Sequence, residues 1–158
     1  MRGQPTIPPA LVETLHRLSA DLDALQDDWW LIGSAALVLN GAEIAIAGDV
    51  DLLTTPDAAK RLAERWGCAL NVLFPTDHFR SDVFFSWKDT PLPIDVMAGF
   101  EVSSGGDWTP VWPSTRVEIR WLGGTYFTPS RAELLELLVR FDRPKDRERA
   151  ALLRALPE

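Results

Sequence analysis

The sharpest chemical signal in the chain is a pair of carboxylates in "GDVDLL", where Asp49 and Asp51 stand two residues apart inside an apolar run. On a strand, residues two apart project from the same face. Two carboxylates held side by side repel each other unless a proton or a cation lies between them. Hard divalent ions prefer carboxylate oxygen, and Mg²⁺ is typically held by one or two carboxylates together with substrate phosphate. A third acid, Asp95, lies in "PLPIDVMAGF", where a charge among apolar residues is costly unless paired. If "IDV" runs beside "DVDLL" in a sheet, the three acids meet. Such a triad suits a two-metal displacement at phosphorus. The plainer reading is that Asp49 and Asp51 line a solvated strand face, and that Asp95 faces water or an arginine.

A second feature lies upstream. In "LIGS" a bulky apolar stretch ends at Gly33-Ser34 and helix-forming residues follow at once. A glycine there lets backbone approach a ligand closely, and the first N–H groups of the following helix suit a phosphate.

The elements that must position these residues follow from periodicity. Leucines at helical spacing predict a helix from about Pro9 to Gln26. "WWLIG" predicts a buried strand, and "SAALVLNG" a helix stopped at Asn40-Gly41. "AEIAIAGDVDLLTT" reads as an extended segment entering a strand, and "PDAAKRLAERWG" as a helix closed by Gly67. "CALNVLF", "VFFSW" and "LPIDVMAGF" are strand candidates, with "PTDHFRSD" a loop. "EVSSGGDWTPVWPS" reads as loop, "TRVEIRWL-GG-TYFT" as a hairpin. "PSRAELLELLVRF" and "RPKDRERAALLRAL" are two closing helices. This order predicts an α/β (α+β) fold: a mixed central sheet flanked by helices. A single domain over 1–158 is expected, with a helical C-terminal extension at about 129–156.

Composition narrows the function. The 158 residues carry a net charge of −7, which disfavours a protein built mainly to grip nucleic acid, whose phosphate contacts need a basic surface. The acidity also creates a favourable field for a cation. No apolar stretch reaches a membrane span, and the N-terminus shows no signal-peptide pattern. One cysteine, Cys68, and two histidines, His16 and His78, exclude an internal disulfide and a Cys/His metal cluster. A reducing cytoplasm is the expected compartment. Cys68 reads as a small buried apolar group. The seven tryptophans fill the core, or one or two of them flank a nucleobase.

Taken together, "LIGSAALVLNG", "GDVDLL" and "PIDVM" resemble the nucleotidyltransferase superfamily of the DNA-polymerase-β type. That pattern is an apolar strand, Gly-Ser, a short helix, Asp-x-Asp on the next strand and a third acid later. The C-terminal "TPSRAELLELLVRFDRPKDRERAALLRAL" is similar to the tail of the stand-alone bacterial branch, which includes toxin-like and minimal nucleotidyltransferases. The chain departs from the toxin-like members at residues 45–48, "AIAG", where they carry an Arg and a Thr.

The resemblance implies the nucleotidyltransferase fold and a Mg²⁺-dependent transfer of a nucleoside monophosphate from a nucleoside triphosphate to a hydroxyl. Gly33 and Ser34 would take the β- and γ-phosphates. Asp49 and Asp51 would hold Mg²⁺, while Asp95 would bind a second ion and draw the acceptor's proton. Lys145 either reaches the triphosphate or belongs to a solvated helix start, and Arg80 either addresses the nucleotide or is a surface-loop arginine. The acceptor is left open among a small molecule, a protein and an RNA end, its pocket formed by the last helices, a second copy or a partner protein. The competing expectation is a binding module of the same fold in a toxin–antitoxin-like pair.

Overall fold

The computed structural model describes residues 7–44, 47–70 and 76–157. Helix α1, Pro9–Asp23, buries Leu11, Leu15, Leu18 and Leu22, the stripe that its leucine spacing encodes. It ends three residues before the expected Gln26. Strand β1, Trp29–Ile32, runs straight into helix α2, Gly33–Leu39. Strand β2, Val50–Thr54, is followed by helix α3, Pro56–Trp66. The Thr55 hydroxyl caps α3 by accepting from the Ala58 N–H at 3.2 Å.

Next come β3, Phe79–Arg80, β4, Val83–Trp87, and β5, Ile94–Ala98. β6, Glu101–Ser104, and β7, Asp107–Pro110, form a hairpin where the sequence reads as loop. Its turn is Gly105-Gly106, both with positive φ (62° and 91°), as a two-residue type I′ connection requires. β8, Val117–Trp121, and β9, Gly124–Thr128, make the expected second hairpin. Helices α4, Arg131–Phe141, and α5, Pro144–Arg154, close the described chain. The strand expected over 68–74 falls largely on 71–75, outside the described residues; 68–70 have no regular structure. The expected loop at 75–82 contains the short β3.

The central sheet has the order β1-β2-β5-β4. β2 and β5 are parallel, and the other two pairings are antiparallel, so the sheet is mixed. Alternation divides its residues between two faces. One face, carrying Leu31, Val50, Leu52, Ile94, Val96 and Phe85, packs with α1, α3 and Tyr126 in the largest apolar cluster. The opposite face carries Trp30, Ile32, Leu53 and Met97, packed with Val102, Val111, Leu137 and Phe141. The acids occur on this second face. No helix among the described residues is long and apolar enough to cross a membrane.

Candidate active site

Register decides where the acids go. Across the sheet, Ile32 pairs with Asp51, Asp51 with Asp95, and Asp95 with Ser86. Asp51 and Asp95 are therefore direct neighbours on parallel strands, and Asp49 precedes β2 by one residue. Carboxylate oxygens of Asp49, Asp51 and Asp95 all lie within 4.8 Å of one another. The sequence-predicted convergence is thus present in the structure.

Each acid has a structural anchor. The Ser86 hydroxyl donates to Asp95 Oδ1 at 2.8 Å, which fixes that carboxylate from the edge strand. Asp51 lies against Gly33. A Cβ built on Gly33 would stand 2.5 Å from Asp51 Oδ2, and its φ of +68° is in the left-handed region. Glycine is demanded twice at this bend, by conformation and by the carboxylate packed on it. The buried Ser34 hydroxyl points to the Asp49 carbonyl at 3.4 Å, so it bears on the segment that carries Asp49.

The electrostatics are those of crowded acids. Burial, followed by Asp49 and Asp95, pushes the Asp51 carboxyl up to about 7; Lys145 and Arg149 act in the opposite sense. Asp95 is also raised: burial leads, the Ser86 hydrogen bond opposes it, and Asp49 adds to the rise. Asp51 and Asp95, raised in this way, and the neighbouring Asp49 form an oxygen-donor set suited to a hard divalent cation, whose charge would replace the proton on the raised pair.

The triad forms one end of a cavity of about 280 Å³. Gly33, Lys145 and Arg149 border it near Asp51, and Phe79, Phe84, Met97, Phe100 and Phe141 supply an apolar wall. Lys145 and Arg149 are four apart on α5, which puts them on one helix face. Arg80 also borders the cavity but is committed elsewhere: its Nε meets Glu101 Oε1 at 2.8 Å and its guanidinium lies 4.4 Å over Trp108. Ser34 is absent from the described lining.

Arg149 and Arg143, the partner of the candidate Asp146, escape sequence reasoning. Arg149 has a signal only in hindsight, as the i+4 partner of Lys145. The buried Asp146 accepts two guanidinium contacts from Arg143, at 2.6 and 3.1 Å, and the Arg143 guanidinium lies 4.8 Å over the Phe79 ring. Nothing in "DRPKDRER" distinguishes this pair from solvated charges.

The histidines, the cysteine and the tryptophans lie as follows. His78 places Nε2 against the Phe141 carbonyl, and His16 lies on α1 with its carbonyl accepting from the Ser19 hydroxyl. Cys68 is half-buried rather than buried, packed at the edge of the main cluster. No tryptophan is among the described cavity-lining residues. Trp66 and Trp87 instead stack on each other at 4.2 Å, and Trp30 meets Trp112 edge-on.

No protein-family profile matches the chain, and no curated protein sequence matches it. Solved structures do. A candidate nucleotidyltransferase of Thermotoga maritima, TM1012, superposes with a TM-score of 0.75 at 15% identity, covering 90% of this chain and 91% of that one. The lincosamide antibiotic adenylyltransferase LnuA, solved with lincomycin, gives 0.62 at 11% identity, covering 96% and 99%. ANT(2'')-Ia in complex with adenylyl-2''-tobramycin gives 0.56 at 15% identity, covering 88% and 84%. At these identities the likeness establishes the fold, and that fold is the nucleotidyltransferase fold.

Proposed function

We propose that this chain of nucleotidyltransferase fold is a metal-dependent enzyme that transfers a nucleoside monophosphate from a nucleoside triphosphate to a hydroxyl. One observation carries the reading: Asp49, Asp51 and Asp95, from two neighbouring chain segments, gather their carboxylates at a cavity that Lys145 and Arg149 also border. The solved neighbours LnuA and ANT(2'')-Ia, described as acting on antibiotics, support a small-molecule acceptor.

In this reading Asp49, Asp51 and Asp95 would hold Mg²⁺, which when bound would neutralise phosphate charge and orient the triphosphate. Lys145 and Arg149 attract the phosphates from α5, Lys145 as a mobile point charge and Arg149 as a planar fork. Gly33 keeps the backbone low enough for the β- and γ-phosphates to approach the start of α2. Ser34 fixes the Asp49 segment rather than the nucleotide. Asp95 accepts the proton of the acceptor hydroxyl, and Ser86 holds it in place. Arg80 borders the acceptor side while tethered to Glu101. The residues do little covalent work; they position reactants and stabilise charge.

The test is calorimetric binding of ATP, GTP, CTP and UTP with and without Mg²⁺, to the wild type and to Asp51→Asn. The expected result is binding of at least one triphosphate that needs Mg²⁺ and is lost in the variant. Metal-independent binding equal in both proteins would leave the binding-module alternative ahead.

A further inference from the structure

The site also constrains what carries the accepting hydroxyl. On the face that bears Asp95 and Ser86, the next paired residues are Met97 and Phe84. Strands rise about 3.3 Å per residue, so this apolar row begins roughly 7 Å from the carboxylates, about the span of one ring. Phe79, Phe100 and Phe141 close over it, with ring centroids 5.5 to 6.0 Å apart.

Position assigns this wall to the acceptor rather than to the nucleobase. Strand order runs β1-β2-β5-β4, with the phosphate-side groups Gly33 and Asp51 toward β1 and β2. Asp95 is on β5, beside β4. A hydroxyl giving its proton to Asp95 therefore has its body over β5 and β4, on Met97 and Phe84. Charge points the same way. Outside the triad, the one acid among the described cavity residues is Asp146, already clasped by Arg143. A polycation would find no free carboxylate among the described residues of this wall, whose cations Arg80 and Arg143 are already paired with Glu101 and Asp146.

We infer that the acceptor is an uncharged alcohol with an aromatic or alicyclic body, not a polycationic sugar; the inference rests on the nucleotidyl-transfer reading above. The acceptor oxygen bonds to the α-phosphorus and the bridging P–O bond to the β-phosphate breaks. Its electron pair leaves with pyrophosphate, and the hydroxyl proton passes to Asp95.

The experiment uses the full chain with Mg²⁺ and α,β-methylene-ATP, and two acceptor probes, 2-naphthol and tobramycin, followed by saturation-transfer NMR and calorimetry. Expected is saturable 2-naphthol binding to the nucleotide-loaded protein and none by tobramycin. Phe100→Leu, and separately Phe84→Leu, should weaken 2-naphthol about five- to tenfold through loss of ring contacts while nucleotide affinity stays unchanged. Thermal melts confirm that each variant is folded. Nucleotide binding with tobramycin but not 2-naphthol bound overturns the inference alone, as does displacement of 2-naphthol by the nucleotide. Absence of Mg²⁺-dependent binding by ATP, GTP, CTP and UTP alike overturns the transfer reading itself, and the inference with it.

Discussion

Gly33 and Asp51 show how tightly one residue can depend on another's lack of a side chain. An alanine at 33 would put its Cβ 2.5 Å from Asp51 Oδ2 and would also have to hold a φ of +68°. The conformational part alone costs about 1–2 kcal/mol. The larger effect falls on the site, because the carboxylate must move. Gly33→Ala is expected to lower Mg²⁺-dependent nucleotide affinity at least tenfold with Asp51 still present, while circular dichroism keeps the wild-type spectrum. Unchanged affinity would mean that the Asp51 position does not matter to binding.

Asp51 also sets a pH dependence for the metal-free protein. Its carboxyl titrates near 7 when folded, against 3.8 for the free side chain. Between these values the folded state holds more protons than the unfolded state, so stability falls as pH rises through that window. In EDTA, the melting temperature should drop from pH 5 to pH 8, and Mg²⁺ should recover it at pH 8. Asp51→Asn should flatten that slope and stabilise the metal-free protein at pH 8 by on the order of 1–3 kcal/mol, since it removes a repelled charge. A wild-type slope retained in the variant would assign the effect to other groups.

Among elements, α4 is held at its start by an arrangement that a sequence only half reveals. Ser130 caps α4 by accepting from the Glu133 N–H at 3.2 Å, as "PSRAE" implies. The Glu133 carboxylate, however, reaches a different segment. It accepts from the backbone N–H groups of Ser114 and Thr115, each at 2.8 Å, and from both hydroxyls. Burial alone would raise its pKa, but these four donors bring it below the ordinary value of 4.5. The contribution to stability is therefore full above the unfolded value and lost as pH falls through the lowered folded one. Glu133→Ala should cost about 1–3 kcal/mol at pH 7 in urea unfolding, with the difference from wild type shrinking toward pH 3. A cost that does not vary with pH would show that the carboxylate charge is not what binds the segment.

The same contrast explains what was legible beforehand. Helices with regular leucine spacing and local stop signals, such as α1 and α3, are encoded within a few residues of themselves. The hairpin of β6 and β7 was hidden because Ser, Gly and Pro dominate it, and its strands gain their pairing from the turn geometry at Gly105-Gly106. In the site, Asp49 and Asp51 announce themselves by their spacing at the start of one strand. Asp95 needs only the parallel pairing of β5 with β2 to join them. Ser86, Arg149 and the phenylalanine wall depend on contacts between segments far apart in the chain, which no local pattern records.

At the scale of the whole molecule, α5 packs on α4 and α2, and so brings Lys145 and Arg149 to the border of the cavity. Arg143 and Asp146 organise its first turn, and the Arg143 guanidinium links that turn to the Phe79 ring at 4.8 Å. Asp146 is 1% exposed and pairs with Arg143 Nε at 2.6 Å, while its Oδ2 also accepts from the Arg143 N–H at 3.1 Å. A buried carboxylate that loses its partner is left with an uncompensated charge, a larger penalty than the pair's net worth. Arg143→Leu is therefore expected to destabilise the protein by about 2–4 kcal/mol. Adding Asp146→Asn to that variant should return more than half of the loss, because the stranded charge disappears. Urea unfolding of the wild type, the two single variants and the double variant measures the coupling directly. If the pair is what seats α5, Arg143→Leu also weakens triphosphate binding through Lys145 and Arg149, neither of which it touches chemically. Additive effects in the cycle, with nucleotide affinity unchanged, would show that α5 is seated by its apolar residues Ala150 and Leu153 alone.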